Sequence, residues 1–161
     1  MSEDVYWSIL RDKTAALFRF ATSAGAELAG ASEKSQGLLA QFGECIGMAF
    51  QLVDDLLDYS GEQTGKTMFA DLRQGKLTLP LVLAVQGEPG LLELLEQIRS
   101  GDASAIAPLR QRVILSGVCE RVSAKVLSYT SSAIEHLDQL PPSAARSLLR
   151  GVAQQLADRS Q

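Results

Sequence analysis

The chain has 161 residues, of which 46% are hydrophobic, and it carries a formal net charge of −4 at pH 7. This length is sufficient for one domain with a hydrophobic core. The absence of a basic block argues against nucleic-acid binding. No apolar run reaches the roughly 20 residues that span a bilayer. Because the first residues are acidic and Cys45 and Cys119 have neither disulfide-framework nor metal-site spacing, we expect a soluble cytoplasmic protein without a signal peptide.

Helical periodicity recurs along the chain, and the alternation typical of strands is nearly absent. Gly30 marks the end of the first helix, and Ser32 is a candidate N-cap for the second. Residues 60–76 contain three glycines and little apolar content, which is typical of a loop. Pro80 then opens another helix, because proline is tolerated in the first turn. The predicted helices cover residues 3–28, 32–59, 78–87, 90–99, 103–115, 118–140 and 144–158, so the predicted fold class is all-α.

The second predicted helix carries three carboxylates, Asp54, Asp55 and Asp58, in an otherwise apolar run. At about 100° per residue they share with Gln51 an arc of roughly 100° on one side of the helix. Aspartates are rarely placed among core residues without a compensating charge, and Mg2+ prefers oxygen ligands combined with waters and substrate phosphates. The pattern indicates a metal site facing an internal cavity; a solvated acidic stripe or a set of internal salt bridges explains it equally well on its own.

Basic residues precede and follow this acidic helix in the sequence. Lys66 and Lys76 lie in the predicted loop, and Lys13, followed by Thr14, lies on the first helix. A lysine ammonium has three donors and suits phosphate oxygens, so carboxylates for a cation and lysines for the same anion form an arrangement suited to a diphosphate. Considered separately, these lysines are also consistent with a solvated loop and an ordinary amphipathic surface.

Together these segments resemble the trans-isoprenyl diphosphate synthases, also called polyprenyl synthetases, over nearly the whole chain. The segment 13–18 is similar to the Lys-Thr motif of that family, and the segment 47–58 to its second aspartate-rich motif with a leading Phe-Gln pair. The segments 65–66, 71–72 and 75–81 are similar to the lysine loop that follows. The resemblance implies the C-terminal half of an isoprenoid-synthase-type helical bundle.

The resemblance also implies a reaction, the Mg2+-dependent head-to-tail condensation of isopentenyl diphosphate with an allylic diphosphate. Asp54 and Asp58 would bind Mg2+ with Asp55 in support, so all three are predicted metal-site residues. Electrostatic stabilisation of the departing diphosphate would be the central catalytic effect.

The basic and polar residues receive their roles from the same resemblance. Lys13, Lys66 and Lys76 would contact the allylic diphosphate. Thr14 and Gln51 would lie near the reacting carbon, where their dipoles stabilise positive charge. Lys13, Thr14 and Gln51 are therefore the predicted catalytic residues.

Two departures from the family pattern limit this interpretation. The lysine loop has Phe69-Ala70 where the family usually has Gly-Asn, and the sequence has no second carboxylate set at the spacing of Asp54–Asp58. That second set would be the first aspartate-rich motif, and the N-terminal basic residues that hold isopentenyl diphosphate are missing with it. We therefore predict that residues 1–161 are a single partial domain, incomplete alone, which forms a homo-oligomer or binds a complementary synthase chain. The alternative is a non-catalytic partner subunit or an inactive fragment that associates with a synthase.

Overall fold

The computed structural model of the protein describes residues 2–59 and 77–160. Residues in these two ranges form α-helices and no strand, so the predicted all-α fold class is confirmed. The helices are α1 (Glu3–Leu10), α2 (Ala16–Leu28), α3 (Glu33–Leu57), α4 (Leu79–Gly87), α5 (Leu91–Arg99), α6 (Ile106–Leu115), α7 (Val118–Asp138) and α8 (Ala144–Asp158). Over the described ranges, no helix has the length and apolar character needed to cross a membrane.

The ends of most helices agree with the predicted ends, and the predicted start signals are in place. Ser32 caps α3, because its Oγ accepts a hydrogen bond from the backbone N–H of Ser35 at 3.3 Å. Pro80 lies in the first turn of α4. Three boundaries differ by two or three residues. Helix α3 ends at Leu57 and not at residue 59, and α7 ends at Asp138 and not at Leu140. Helix α6 begins at Ile106, after a 3-10 turn at Ala103–Ala105, and not at residue 103.

The largest difference from prediction is a π-helical turn, Arg11–Ala15, which divides the predicted helix 3–28 into α1 and α2. A π-turn holds one more residue than an α-turn, and such turns are frequent at functional sites. This turn contains Lys13 and Thr14, two of the predicted site residues.

The chain divides into two compact units. The first unit consists of Met1–Tyr6 and Asp54–Val122. Its core follows α4, where every residue from Leu79 to Ala84 is buried, as expected of a helix that is apolar on all sides. Helices α5 and α6 complete this core with the buried residues Leu91, Leu95, Ile98, Leu109 and Val113.

The second unit consists of Trp7–Val53 and Ser123–Gln161. Its core combines buried apolar residues of α3, α7 and α8, namely Phe42, Ile46, Ala49, Leu52, Val126, Ala133, Leu137, Ala153 and Leu156. These residues recur at helical spacing, so each helix turns one apolar face inward.

Two glycines of α3 permit a close approach of the preceding segment within the second unit. A Cβ atom on Gly47 would lie 2.6 Å from the Cα atom of Ala15, and one on Gly43 would lie 2.5 Å from the carbonyl oxygen of Phe18. The positions are glycine because backbone occupies the space that a side chain would need.

Candidate functional site

The predicted metal residues Asp54, Asp55 and Asp58, which we call the acidic turn, lie at the C-terminal end of α3 in the first unit. Asp54 and Asp55 belong to the last helical turn, and Asp58 directly follows the final helical residue, Leu57. Asp55 is buried, with 6% of its surface exposed, whereas Asp54 and Asp58 are partly exposed. The three carboxylates therefore differ in their access to solvent.

Asp55 receives its hydrogen bonds from two distant parts of the chain. Its Oδ2 accepts from the Tyr6 hydroxyl at 2.6 Å and from the backbone N–H of Leu79 at 2.7 Å. The Leu79 N–H lies at the start of α4, where the N-cap residue Thr78 makes no side-chain cap, and a carboxylate at a helix N-terminus is favourable. Hydrogen-bond donors of the protein thus compensate part of the Asp55 charge. From the sequence pattern alone, that compensation was assigned to a cation.

A second buried pair lies directly after the acidic turn. The hydroxyls of Tyr59 and Thr78 are 2.8 Å apart, and Arg110 donates from Nη2 to the backbone carbonyl of Tyr59 at 2.8 Å. Burial raises the pKa of the Tyr59 phenol well above its usual range, so the hydroxyl stays protonated. Tyr59 is therefore held at both its side chain and its backbone.

Thr14 and Gln51, two of the predicted catalytic residues, lie in contact in the second unit. The Thr14 hydroxyl donates to the Gln51 side-chain oxygen at 3.2 Å. Lys13, which precedes Thr14, is exposed. The predicted diphosphate residues Lys66 and Lys76 lie outside the described residues, as does Phe69-Ala70.

The chemistry of the acidic turn can be compared with what Mg2+ requires. Across residues 2–59 and 77–160, the structure holds no group of three or more His, Cys, Asp or Glu side chains placed to bind a metal ion. A Mg2+ site needs only one or two carboxylates when waters and substrate phosphates complete it, and Asp54 and Asp58 offer two partly exposed carboxylates of the right kind. This donor set fits Mg2+, and the metal role of Asp54, Asp55 and Asp58 stays a prediction.

Sequence reasoning did not identify the partners of Asp55. Tyr6 is 49 residues away in the chain and Leu79 is 24 residues away, and no local pattern joins positions at such separations. The one available signal was the Thr78-Leu79-Pro80 helix start, because a helix start exposes N–H groups that need an acceptor.

An all-α chain with an aspartate-rich turn at the end of a long helix agrees with the isoprenoid-synthase fold class. The family model described as polyprenyl synthetase matches residues 1–113. The chain belongs to the polyprenyl synthetase family, which confirms the resemblance.

Individual relatives give the same assignment. The short chain isoprenyl diphosphate synthase of Methanothermobacter thermautotrophicus is 34% identical over 163 residues, which cover 99% of this chain and 50% of that protein. Heptaprenyl diphosphate synthase component 2 of Geobacillus stearothermophilus is 36% identical over 150 residues, which cover 92% of this chain and 47% of that protein. The chain therefore spans about half the length of these relatives.

A solved structure shows the same fold. The polyprenyl synthase from Caulobacter crescentus CB15, complexed with calcium and isoprenyl diphosphate, superposes with a TM-score of 0.87 and 33% identity. The match covers 100% of this chain and 50% of the other.

Proposed function

We propose that this chain takes part in prenyl transfer, the Mg2+-dependent head-to-tail condensation of isopentenyl diphosphate with an allylic diphosphate. In this reaction the bond between the allylic carbon and the diphosphate oxygen breaks, and its electron pair leaves with the diphosphate. The double bond of isopentenyl diphosphate then forms the new carbon–carbon bond, and a proton is lost. The chain would contribute the second aspartate-rich motif, and we keep the prediction that it is a C-terminal half, incomplete alone.

The observation that carries the proposal is the pair Asp54 and Asp58, which are partly exposed and lie four positions apart at the end of α3. These two carboxylates would hold Mg2+, and Asp55 would support them. When bound, the ion would supply positive charge next to the departing diphosphate. The Caulobacter crescentus structure, complexed with calcium and isoprenyl diphosphate, supports this because both cations prefer oxygen ligands.

The remaining predicted residues would act on the two ends of the allylic substrate. Lys13, Lys66 and Lys76 would bind the diphosphate as cationic donors. The Thr14 hydroxyl donates a hydrogen bond to Gln51, so its proton is engaged and its oxygen lone pairs stay available. An oxygen in that state suits a position beside a carbon that becomes positively charged.

A second chain is part of the proposal. The name of the Geobacillus stearothermophilus relative, component 2, indicates a synthase with more than one component and supports association with a complementary chain. It also favours the alternative, a non-catalytic partner subunit.

Cys45 and Cys119 are both free thiols, which agrees with the proposed cytoplasmic location.

The proposal is tested by measuring thermal unfolding of the chain with Mg2+, with inorganic diphosphate, and with both. Ligand at about 100 times its Kd stabilises the folded state by about 2.7 kcal/mol, which raises the unfolding temperature of a domain of this size by about 5–11 °C. Asp54→Asn and Asp58→Asn should remove most of this shift. Glu93→Gln, which removes the same charge from an exposed position of α5, should keep it.

Two outcomes would contradict parts of the proposal. The absence of a shift with either ligand or with both would remove the metal–diphosphate function. Turnover of an allylic diphosphate by this chain alone would contradict incompleteness, whereas activity that requires co-expression with a candidate N-terminal half would support it. The unmodified chain without a partner is the control in that assay.

A further inference from the structure

The two adjacent aspartates of the acidic turn have different surroundings. Asp54 is partly exposed, whereas Asp55 is buried. The Asp55 Oδ2 accepts two hydrogen bonds, at 2.6 Å from Tyr6 and at 2.7 Å from the Leu79 N–H. A charge-assisted hydrogen bond to a carboxylate is short and strong, and two of them use the lone pairs of Oδ2, on a side chain that is itself buried.

These hydrogen bonds attach the end of α3 to two other segments of the first unit. Tyr6 belongs to α1 and Leu79 begins α4. On an ideal helix, Asp54 and Asp58 are rotated from Asp55 by about 100° and 60° towards the same side. Because Asp55 is fixed at its side chain, the rotation of the last turn of α3 is fixed, and so is the side to which Asp54 points.

Asp58 follows the last helical residue, but its position is also restrained. The next residue, Tyr59, shares a hydrogen bond with Thr78 at 2.8 Å and receives one from Arg110 at its backbone carbonyl. Asp58 thus lies between two anchored residues, Asp55 and Tyr59. An acidic pair that is held in place before a cation binds loses less entropy on binding.

We propose that Asp55 is a positioning residue and not a ligand of the cation, and that Tyr6 and the Leu79 N–H hold it so that Asp54 and Asp58 face one ion. This inference rests on the proposed function, because it requires a cation at Asp54 and Asp58. The family resemblance gave Asp55 only an unspecified supporting role, and the inference adds how that support is provided, by the contacts with Tyr6 and the Leu79 N–H.

The first test compares neighbouring substitutions by calorimetric titration of the full chain with Mg2+ in the presence of inorganic diphosphate. In Asp55→Asn the side-chain oxygen can still accept both hydrogen bonds, so we expect affinity to fall by less than the roughly 10–100-fold that follows loss of an outer-shell partner. Asp54→Asn removes a ligand and should weaken binding by more than about 100-fold. Glu93→Gln is the matched control for the loss of one negative charge.

The second test removes the hydrogen bonds themselves. Asp55→Ala should weaken Mg2+ binding by about 10–100-fold, the usual effect of removing an outer-shell partner, and Asp55→Asn should restore most of that loss. Tyr6→Phe should weaken binding by a few-fold, and in the Asp55→Ala background it should have no additional effect, because both changes break one contact. Tyr129→Phe, a tyrosine of the second unit, serves as the control for Tyr6→Phe.

The outcomes separate this inference from the proposed function. If Asp55→Asn weakens binding as much as Asp54→Asn, Asp55 is a ligand and the inference is wrong. If Asp55→Ala and Tyr6→Phe lower the unfolding temperature but leave Mg2+ affinity at the wild-type value, Asp55 has only a structural role and the inference is also wrong. If the wild-type chain binds neither Mg2+ nor diphosphate, the proposed function fails, and the inference fails with it.

Discussion

Tyr59 directly follows the acidic turn, and its phenol contacts Thr78, the residue that precedes α4. Its hydroxyl is 2.8 Å from that of Thr78, and Thr78 is 6% exposed. Tyr59→Phe leaves the Thr78 hydroxyl buried without this partner, so we expect the free energy of unfolding to fall by about 1–3 kcal/mol in urea titrations. The double variant with Thr78→Val should lose less than the sum of the two single losses. Additive losses would show that the two hydroxyls do not interact.

The thiol of Cys119 provides a pH-dependent prediction at the same scale. Burial raises the pKa of this thiol from 9.0 to about 11, with the nearby Glu120 carboxylate adding to the effect. The unfolded chain therefore releases the thiol proton at lower pH than the folded chain does. The stability that the protonated thiol gives to the folded chain is fully present below about pH 9. It is lost as the pH rises towards about 11.

Unfolding measured between these pH values should show a smaller loss of stability in Cys119→Ala than in the wild type. Tyr59, whose pKa is also raised, remains in both proteins, and the substitution removes only the smallest of the effects that raise it, the charge of Cys119. An identical decline in the two proteins would contradict the raised pKa of Cys119.

At the scale of elements, the close approach at Gly47 predicts a large effect of one methyl group. Gly47→Ala places its Cβ 2.6 Å from the Ala15 Cα atom, and backbone cannot move aside as a flexible side chain can, so we expect a loss of about 1–3 kcal/mol. Gly37→Ala, on the same helix with nothing within 4 Å, should instead stabilise by up to about 1 kcal/mol. Equal effects of the two substitutions in urea titrations would contradict the packing argument.

The elements also show how far the sequence allowed prediction. Ser32 and Pro80 are start signals that act through local chemistry, so the beginnings of α3 and α4 could be predicted. The π-helical turn Arg11–Ala15 could not, because the spacing of apolar residues on either side of it still fits a helix. Ala15, the last residue of this turn, packs closely against Gly47, which lies 32 positions away in the chain and on a different element.

At the scale of the whole molecule, the family and the all-α fold could be predicted because several motifs occur in one order along one chain. The arrangement inside the acidic turn could not be predicted in full. Helical periodicity places Asp54, Asp55 and Asp58 on one arc, but it does not show that Tyr6 supplies a hydrogen bond to Asp55. The roles of the lysines, two of which lie outside the described residues, stay predictions.

The exposed surface of α2 leads to a prediction about assembly. Leu17, Phe20 and Leu28 are 67%, 68% and 89% exposed, and at about 100° per residue they lie on one side of the helix. Large exposed apolar surfaces favour association, and the chain spans about half the length of its relatives. We therefore expect a self-associated species at micromolar concentration when no complementary chain is present.

Light scattering coupled to gel filtration checks this expectation over a range of concentrations. Phe20→Glu should shift the population towards monomer, because a carboxylate on the apolar stripe opposes its burial. Gln154→Glu adds the same charge at an exposed polar position of α8 and should leave the distribution as it is in the wild type. A wild-type chain that stays monomeric throughout would contradict self-association, and equal effects of the two substitutions would show that α2 is not the surface involved.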